Sequence, residues 1–141
     1  NFIIHTRETT KLSSDEFYAL MICAMAASYD CAPTQDSKFG IRLPIDMHSG
    51  EIKSEVWQNW LLFDPLNLVE AHADCLKSLD VCFIDCGNKD QYNLHFGSRL
   101  LHQKLTSLGI KHTYDEFSGT HSGIEDRLDI SMPMLAKSLQ D

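Results

Sequence analysis

The sequence predicts a helix-rich α/β fold with a small parallel βαβ unit. Residues 81–84 (VCFI) are apolar at every position, which is typical of a buried strand in a parallel sheet. Residues 91–108 carry apolar side chains at helical spacing, and residues 112–117 form a second, weaker strand pattern. Because a right-handed crossover joins parallel strands, we expect the loops after the two strands to share one edge of the sheet.

Length and composition indicate a single domain with one core. The chain has 141 residues, of which 43% are hydrophobic and 23% charged, an ordinary balance for a globular protein. No apolar run approaches the roughly 20 residues that span a bilayer. Twelve basic and twenty acidic residues give a formal net charge of −8, so we expect no nucleic acid and no membrane as partners. Within the domain we expect a mainly helical region, 1–79, and a βαβα unit, 80–141.

The five cysteines favour reduced thiols in a cytoplasmic protein. Their number is odd and none forms a CxxC pair, which disfavours a disulfide scaffold and a structural zinc site. No signal peptide is visible. The chain opens with Asn1 and not with an initiator Met, so we expect a fragment or a processed form.

The N-terminal half is expected to contain helices and a long loop. Residues 1–7 fit either a strand or the end of a helix. Ser13 or Ser14 can cap the next helix, whose inward positions are Phe17, Leu20, Met21, Ala24 and Met25. Residues 31–50 are expected to be loop. Ser54 is expected to cap a short helix that buries Trp57, Trp60 and Leu61.

The C-terminal half is expected to contain the chemistry. A helix over residues 66–79 leads into the strand 81–84, which should be covered on both faces. The helix over residues 91–108 has Leu94, Gly97, Leu101 and Leu105 on one stripe, and Gly109 ends it. The last helix lies within residues 124–139. Pro133 must fall in its first turn, so its firm part should begin near Ser131.

Asp90 and His121 are the candidate catalytic residues. Each follows one strand of the βαβ unit, and Gly119 and Gly123 flank the histidine. Asp90 alone is as well explained as a helix cap, and a lone loop histidine is usually only solvated. Together, an acid and then a histidine on successive strand ends form the pattern of a hydrolytic triad. Asp85, at the end of the strand, stays open as the alternative acid.

Other chemistries fit the residues less well. The segment DCGNKDQYNLHF places Asp90 and Phe96 where an EF-hand loop needs Gly and Glu. We therefore expect no metal and no cofactor. Cys86 lacks the setting of a nucleophile, and no G-x-S-x-G elbow occurs in the 141 residues.

The segments FIDCGNKDQYNLHFGSRLLHQKL and GIKHTYDEFSGTHSGIEDRLDISMPML resemble the C-terminal half of the putative esterase family of α/β-hydrolases, which includes esterase D-like carboxylesterases. The upstream segments resemble the helical region that bacterial members carry between the nucleophile strand and the acid strand. The resemblance implies that the chain is the C-terminal portion of an α/β-hydrolase, with Asp90 as the acid and His121 as the base.

The same resemblance implies a serine-type carboxylic ester hydrolase whose nucleophile is absent from this chain. The expected substrate is a small-molecule ester, bound once the missing half completes the site. An isolated chain should then be inactive and should form homo-oligomers through exposed apolar faces. The alternatives are a noncatalytic α/β interaction module and another α/β-hydrolase, such as a thioesterase or a peptidase.

Overall fold

The computed structural model describes residues 2–32 and 39–140. It is a mixed helix and strand structure that divides into two compact units, Asn1–Asp64 and Pro65–Asp141. The elements, in chain order, are α1 (Phe2–Glu8), α2 (Ser14–Tyr29), α3 (Ser54–Leu61), α4 (Pro65–Leu68), α5 (Ala73–Lys77), β1 (Phe83–Gly87), α6 (Leu94–Ser107), β2 (Thr113–Phe117), a 3₁₀ turn (Glu125–Arg127) and α7 (Leu128–Ser138). The open choice for the first residues resolves as helix from Phe2 onwards, and Asn1 lies outside the described ranges. No helix within the described ranges is long and apolar enough to cross a membrane.

In the N-terminal unit, α2 packs on α3 around Ala26, Val56 and Trp60. Ser13 begins α2 with a capping box, because its hydroxyl accepts from the Glu16 N–H while the Glu16 carboxylate accepts from the Ser13 N–H. The small side chain of Ala26, which is fully buried, lets the two helices approach closely. Tyr29 adds an edge contact to Trp60, with ring centroids 5.6 Å apart.

Several predicted inward positions of this unit are wrong. Phe17 and Leu20 are 48% and 39% exposed, because α2 is apolar around most of its circumference and its sequence marks no single buried stripe. Trp57 is also exposed, and Val56 occupies the buried position beside Trp60. Lys53, not Ser54, is the N-cap of α3.

The predicted loop over residues 31–50 is confirmed where it is described; residues 33–38 lie outside the described ranges. Two isolated antiparallel bridges, Cys31 with Ile41 and Ile45 with Ile52, order the loop. Arg42 and Asn59 both donate to the buried carboxylate of Asp30.

The C-terminal unit is built on a parallel pair of strands, as predicted. β1 and β2 align from Phe83 opposite Thr113 to Gly87 opposite Phe117. The crossover helix α6 packs through Leu105 and Leu101 on a small core that includes Val69 and Ile110. Leu94, which was expected on the same stripe, is exposed.

Three predictions about the strands and helices of this unit need correction. β1 runs two to three residues later than the apolar run, because the parallel ladder with β2 includes Asp85 and Gly87. Its first three residues are half-buried, so the strand is not covered on both faces. The helix expected over residues 66–79 is split into α4 and α5, since Ala73 N–H bonds three residues back to Glu70 and interrupts the α-helical pattern.

α7 begins at Leu128, so Pro133 is inside the helix and not in its first turn. Arg127 explains the early start, because it anchors the residue before α7 to both strands. Its guanidinium donates to Asp85 Oδ2 at 2.9 Å and to Asp115, and it lies 4.4 Å above the Phe117 ring. This anchor places the beginning of the helix independently of the proline.

Apolar side chains remain on the outer surface of the C-terminal unit. On α6 and on α7 the exposed ones are Leu94, Phe96, Leu100, Leu128, Ile130, Met132 and Leu135. Monomeric proteins seldom leave large apolar patches in contact with water. Self-association through such residues stays a prediction.

Candidate active site

The loops that follow β1 and β2 lie against each other, because the ladder of the two strands continues into them. Asn88 N–H donates to Phe117 O at 2.9 Å, and Lys89 N–H donates to Gly119 O at 2.9 Å. Gly87 makes this approach possible, since a Cβ built there would lie 2.5 Å from Gly119 O. Any other residue at Gly87 would push the loops apart.

The two candidate residues meet at this edge of the sheet. His121 Nδ1 lies 2.9 Å from Asp90 Oδ2. Asp90 is 5% exposed, whereas 46% of the His121 side chain is exposed. The expected proximity of the acid and the imidazole is therefore present, and the imidazole faces solvent.

The Asp90 carboxylate is held by its own loop. Its other oxygen, Oδ1, accepts from Tyr92 N–H at 2.8 Å and from Leu94 N–H at 3.4 Å. Asp90 thus has both roles that its sequence position allowed. It accepts from backbone N–H groups at the start of α6, and it also contacts the histidine. The carboxylate has both oxygens engaged and cannot rotate without losing bonds.

Electrostatics favour an ionised Asp90. Burial alone would raise the pKa of this carboxyl, but the hydrogen bonds from His121, Tyr92 and Leu94 together outweigh it and lower the pKa below its ordinary value. An ionised carboxylate only accepts hydrogen bonds, so His121 Nδ1 carries the proton that it shares with Asp90. In the neutral ring, Nε2 then holds a lone pair and can act as a base.

Two neighbours of Asp90 also contact His121. Gln91 Oε1 accepts from the backbone N–H of His121 at 3.1 Å. The Tyr92 ring meets the imidazole edge to face, with centroids 4.8 Å apart and an interplanar angle of 80°. Neither residue stood out in the sequence, and the only available signal was their position directly after Asp90.

Asp85 is engaged elsewhere. Its carboxylate pairs with Arg127, which is 15% exposed and bridges β1 and β2. Asp90 is the carboxylate that contacts His121. The catalytic role of the pair stays a prediction.

Cys86 has the wrong environment for a nucleophile. It is buried on β1, and this burial, together with the nearby charge of Asp90, raises the pKa of its thiol. The protonated thiol is a poor nucleophile. No group of three or more histidine, cysteine or acidic side chains in the described ranges is arranged to hold a metal ion.

A pair of histidines lies at the opposite end of the sheet from Asp90 and His121. His102 Nδ1 is 2.8 Å from His112 Nε2, and His112 Nδ1 is 2.8 Å from Ile110 O. His102 also stacks on Tyr114, whose hydroxyl donates to Glu116. Both nitrogens of His112 are engaged within the protein, which identifies a structural link between α6 and β2.

Comparison of the chain with known protein families gave no match, and comparison with curated proteins gave none.

Proposed function

We propose that this chain supplies the acid and the base of a serine-type carboxylic ester hydrolase. The single observation that carries the proposal is the hydrogen bond of 2.9 Å between a buried Asp90 and a half-exposed His121 on adjacent loops. The carboxylate is buried and oriented by two backbone N–H donors, whereas the imidazole reaches solvent, and this arrangement suits an orienting acid and a base. The resemblance of the surrounding segments to esterase D-like carboxylesterases points in the same direction.

In this function the chain performs the proton transfers. Asp90 keeps the proton of His121 on Nδ1, and Nε2 takes the proton of a serine hydroxyl as the oxygen attacks the ester carbonyl. The imidazolium then gives that proton to the departing alcohol. Asp90 stabilises the imidazolium through its negative charge, and no step requires Asp90 itself to be protonated.

The serine must come from outside these 141 residues, because they contain no G-x-S-x-G elbow. The proposal therefore concerns the complete natural protein or a complex with a second chain. Thioesterase or peptidase chemistry would use the same pair in the same roles. The ester is preferred because the family that the segments resemble is an esterase family.

The test is hydrolysis of short-chain p-nitrophenyl esters by the complete gene product. His121→Ala should lower kcat/KM by a factor on the order of 10³ or more, and Asp90→Asn by a similar factor, since each removes a group of the triad. His48→Ala is the matched control, because His48 lies in an exposed turn of the other unit. Hydrolysis that is unaffected by His121→Ala would refute the proposal.

A second readout separates the nucleophile from the base. A fluorophosphonate probe labels an activated serine covalently, and labelling depends on the base that removes the hydroxyl proton. We expect labelling of the complete protein to be slow in the His121→Ala variant. Equal labelling rates in both proteins would show that another group activates the serine.

A further inference from the structure

We propose that Gln91 is a positioning residue for His121, an inference that rests on the proposed function and deepens it. Asp90 fixes only one atom of the histidine, Nδ1. The hydrogen bond to Asp90 does not fix the backbone that carries the ring, so a further contact is needed to hold residue 121 in place. Gln91 provides one from the same loop.

The contact is made to the backbone and not to the ring. Gln91 Oε1 accepts from His121 N–H at 3.1 Å. The ladder between the loops ends at Lys89 and Gly119, two residues before each partner. The Gln91 side chain therefore extends the connection between the loops to the residue that carries the imidazole.

Tyr92 completes the arrangement from the next position. Its ring packs edge to face on the imidazole at 4.8 Å. Three successive residues thus contact His121 at three places: Asp90 at the ring nitrogen, Gln91 at the backbone N–H, and Tyr92 at the ring. The contacts restrict both the backbone and the side-chain rotation of the histidine.

The role of Gln91 depends on its acceptor and not on its bulk. Gln91→Met keeps nearly the same shape but offers only a weakly accepting thioether sulfur, and Gln91→Glu keeps an oxygen acceptor. We expect Gln91→Met to lower kcat by about three- to tenfold with little change in KM, the factor that corresponds to one hydrogen bond of ordinary strength. Gln91→Glu should retain more of kcat than Gln91→Met does.

The added charge of Gln91→Glu gives a further signature. A carboxylate close to His121 favours the protonated imidazole, so the limb of the pH profile that reports the base should move to higher pH in this variant alone. An unmoved limb would show that the side chain at position 91 does not lie close to the imidazole. Gln103→Ala is the matched control, since Gln103 is an exposed glutamine on α6.

A measurement without catalysis tests the contact directly. Nitrogen-15 NMR of the His121 ring reports which nitrogen carries the proton. In the wild-type chain we expect the Nδ1–H form, and in Gln91→Met a mixture of the two forms, because the ring is less firmly held on Asp90. An unchanged ring spectrum in Gln91→Met would overturn the inference.

The outcomes separate this inference from the proposed function. If His121→Ala abolishes ester hydrolysis while Gln91→Met leaves kcat and the ring spectrum unchanged, the positioning role is wrong and the function stands. If Gln91→Met changes the ring spectrum but neither variant alters hydrolysis, the proposed function is wrong, and with it the catalytic meaning of the contact.

Discussion

The bond between Asp90 and His121 should be measurable as a coupling energy in a double-mutant cycle. Asp90→Asn, His121→Gln and the double variant are compared with wild type. Hydrogen bonds to a charged group contribute about 1.5–3 kcal/mol. Because 46% of the His121 side chain is exposed, solvent screens the bond, and we expect a coupling of about 1 kcal/mol at pH 7.

Asparagine is the right substitution at Asp90 because it removes the carboxylate oxygen that contacts His121 and keeps an oxygen for the backbone donors. It retains one oxygen that accepts from Tyr92 N–H and Leu94 N–H, which Asp90 Oδ1 does in the wild type. Asp90→Ala loses these bonds as well and should cost a further 1–3 kcal/mol or so, since two backbone donors lose their partner.

The assay must follow the C-terminal unit. Both tryptophans, Trp57 and Trp60, belong to the unit that ends at Asp64. Urea unfolding should therefore be followed by amide NMR signals from β1 and β2, and not by tryptophan fluorescence. A coupling energy within about 0.3 kcal/mol of zero, the usual scatter of independent sites, would refute the contact.

Acid provides a second check with a defined sign. The folded-state pKa of Asp90 is lowered from its ordinary value of 3.8, so the unfolded chain takes up this proton first as the pH falls. The stability that Asp90 contributes is present above about pH 4 and is lost as the pH falls through the lowered pKa. Asp90→Asn should lack this component. If the unfolding free energies of wild type and Asp90→Asn fell equally as the pH is lowered, the contribution of Asp90 would be contradicted.

Three further predictions concern the support of the site. Gly87→Ala should lower the free energy of unfolding by about 2–3 kcal/mol, because the new Cβ would overlap Gly119 O. Gly97→Ala is the control, since a Cβ there meets nothing within 4 Å. A Gly87→Ala protein with the urea midpoint of wild type would contradict this overlap. Arg127→Met should lower the urea midpoint of the C-terminal unit, because it removes the ion pairs to both strands, and an unchanged midpoint would show that the bridge is dispensable. Cys86 should react with iodoacetamide at pH 8 more slowly than the exposed Cys31 and Cys75, since it is buried and its thiol pKa is raised. Mass spectrometry after timed quenching measures the rate at which each cysteine is alkylated, and equal rates would contradict the prediction.

The sequence was sufficient for the part of the fold that places the site. The apolar runs and Gly109 were enough to predict a strand, then a helix, then a second strand. The parallel connection between the strands then predicted that Asp90 and His121 lie at the same edge of the sheet. Parallel strands end at the same edge of the sheet, so the order of strands and loops along the chain is enough to place the two residues there. The hydrogen bond itself could not be predicted, since it depends on loop backbones that no periodicity describes.

The errors have a common physical origin in packing. The amphipathic stripes of α2 and α6 were taken from spacing alone, but Phe17 and Leu94 are exposed because little packs against those positions. Pro133 was placed in a first turn from local rules, whereas a contact distant in sequence, made by Arg127, determines where α7 begins. Local propensity gives way to such tertiary contacts.

The continuation of the strand ladder into the loops has a consequence for how the sequence can vary. Main-chain bonds at Asn88 and Lys89 set the separation of the two loops, so most side chains there could change without moving Asp90 and His121. An inserted residue before Asp90 would instead shift every later backbone partner by one and turn the carboxylate away from the imidazole. We therefore expect homologous chains to vary in composition along this segment while conserving its length.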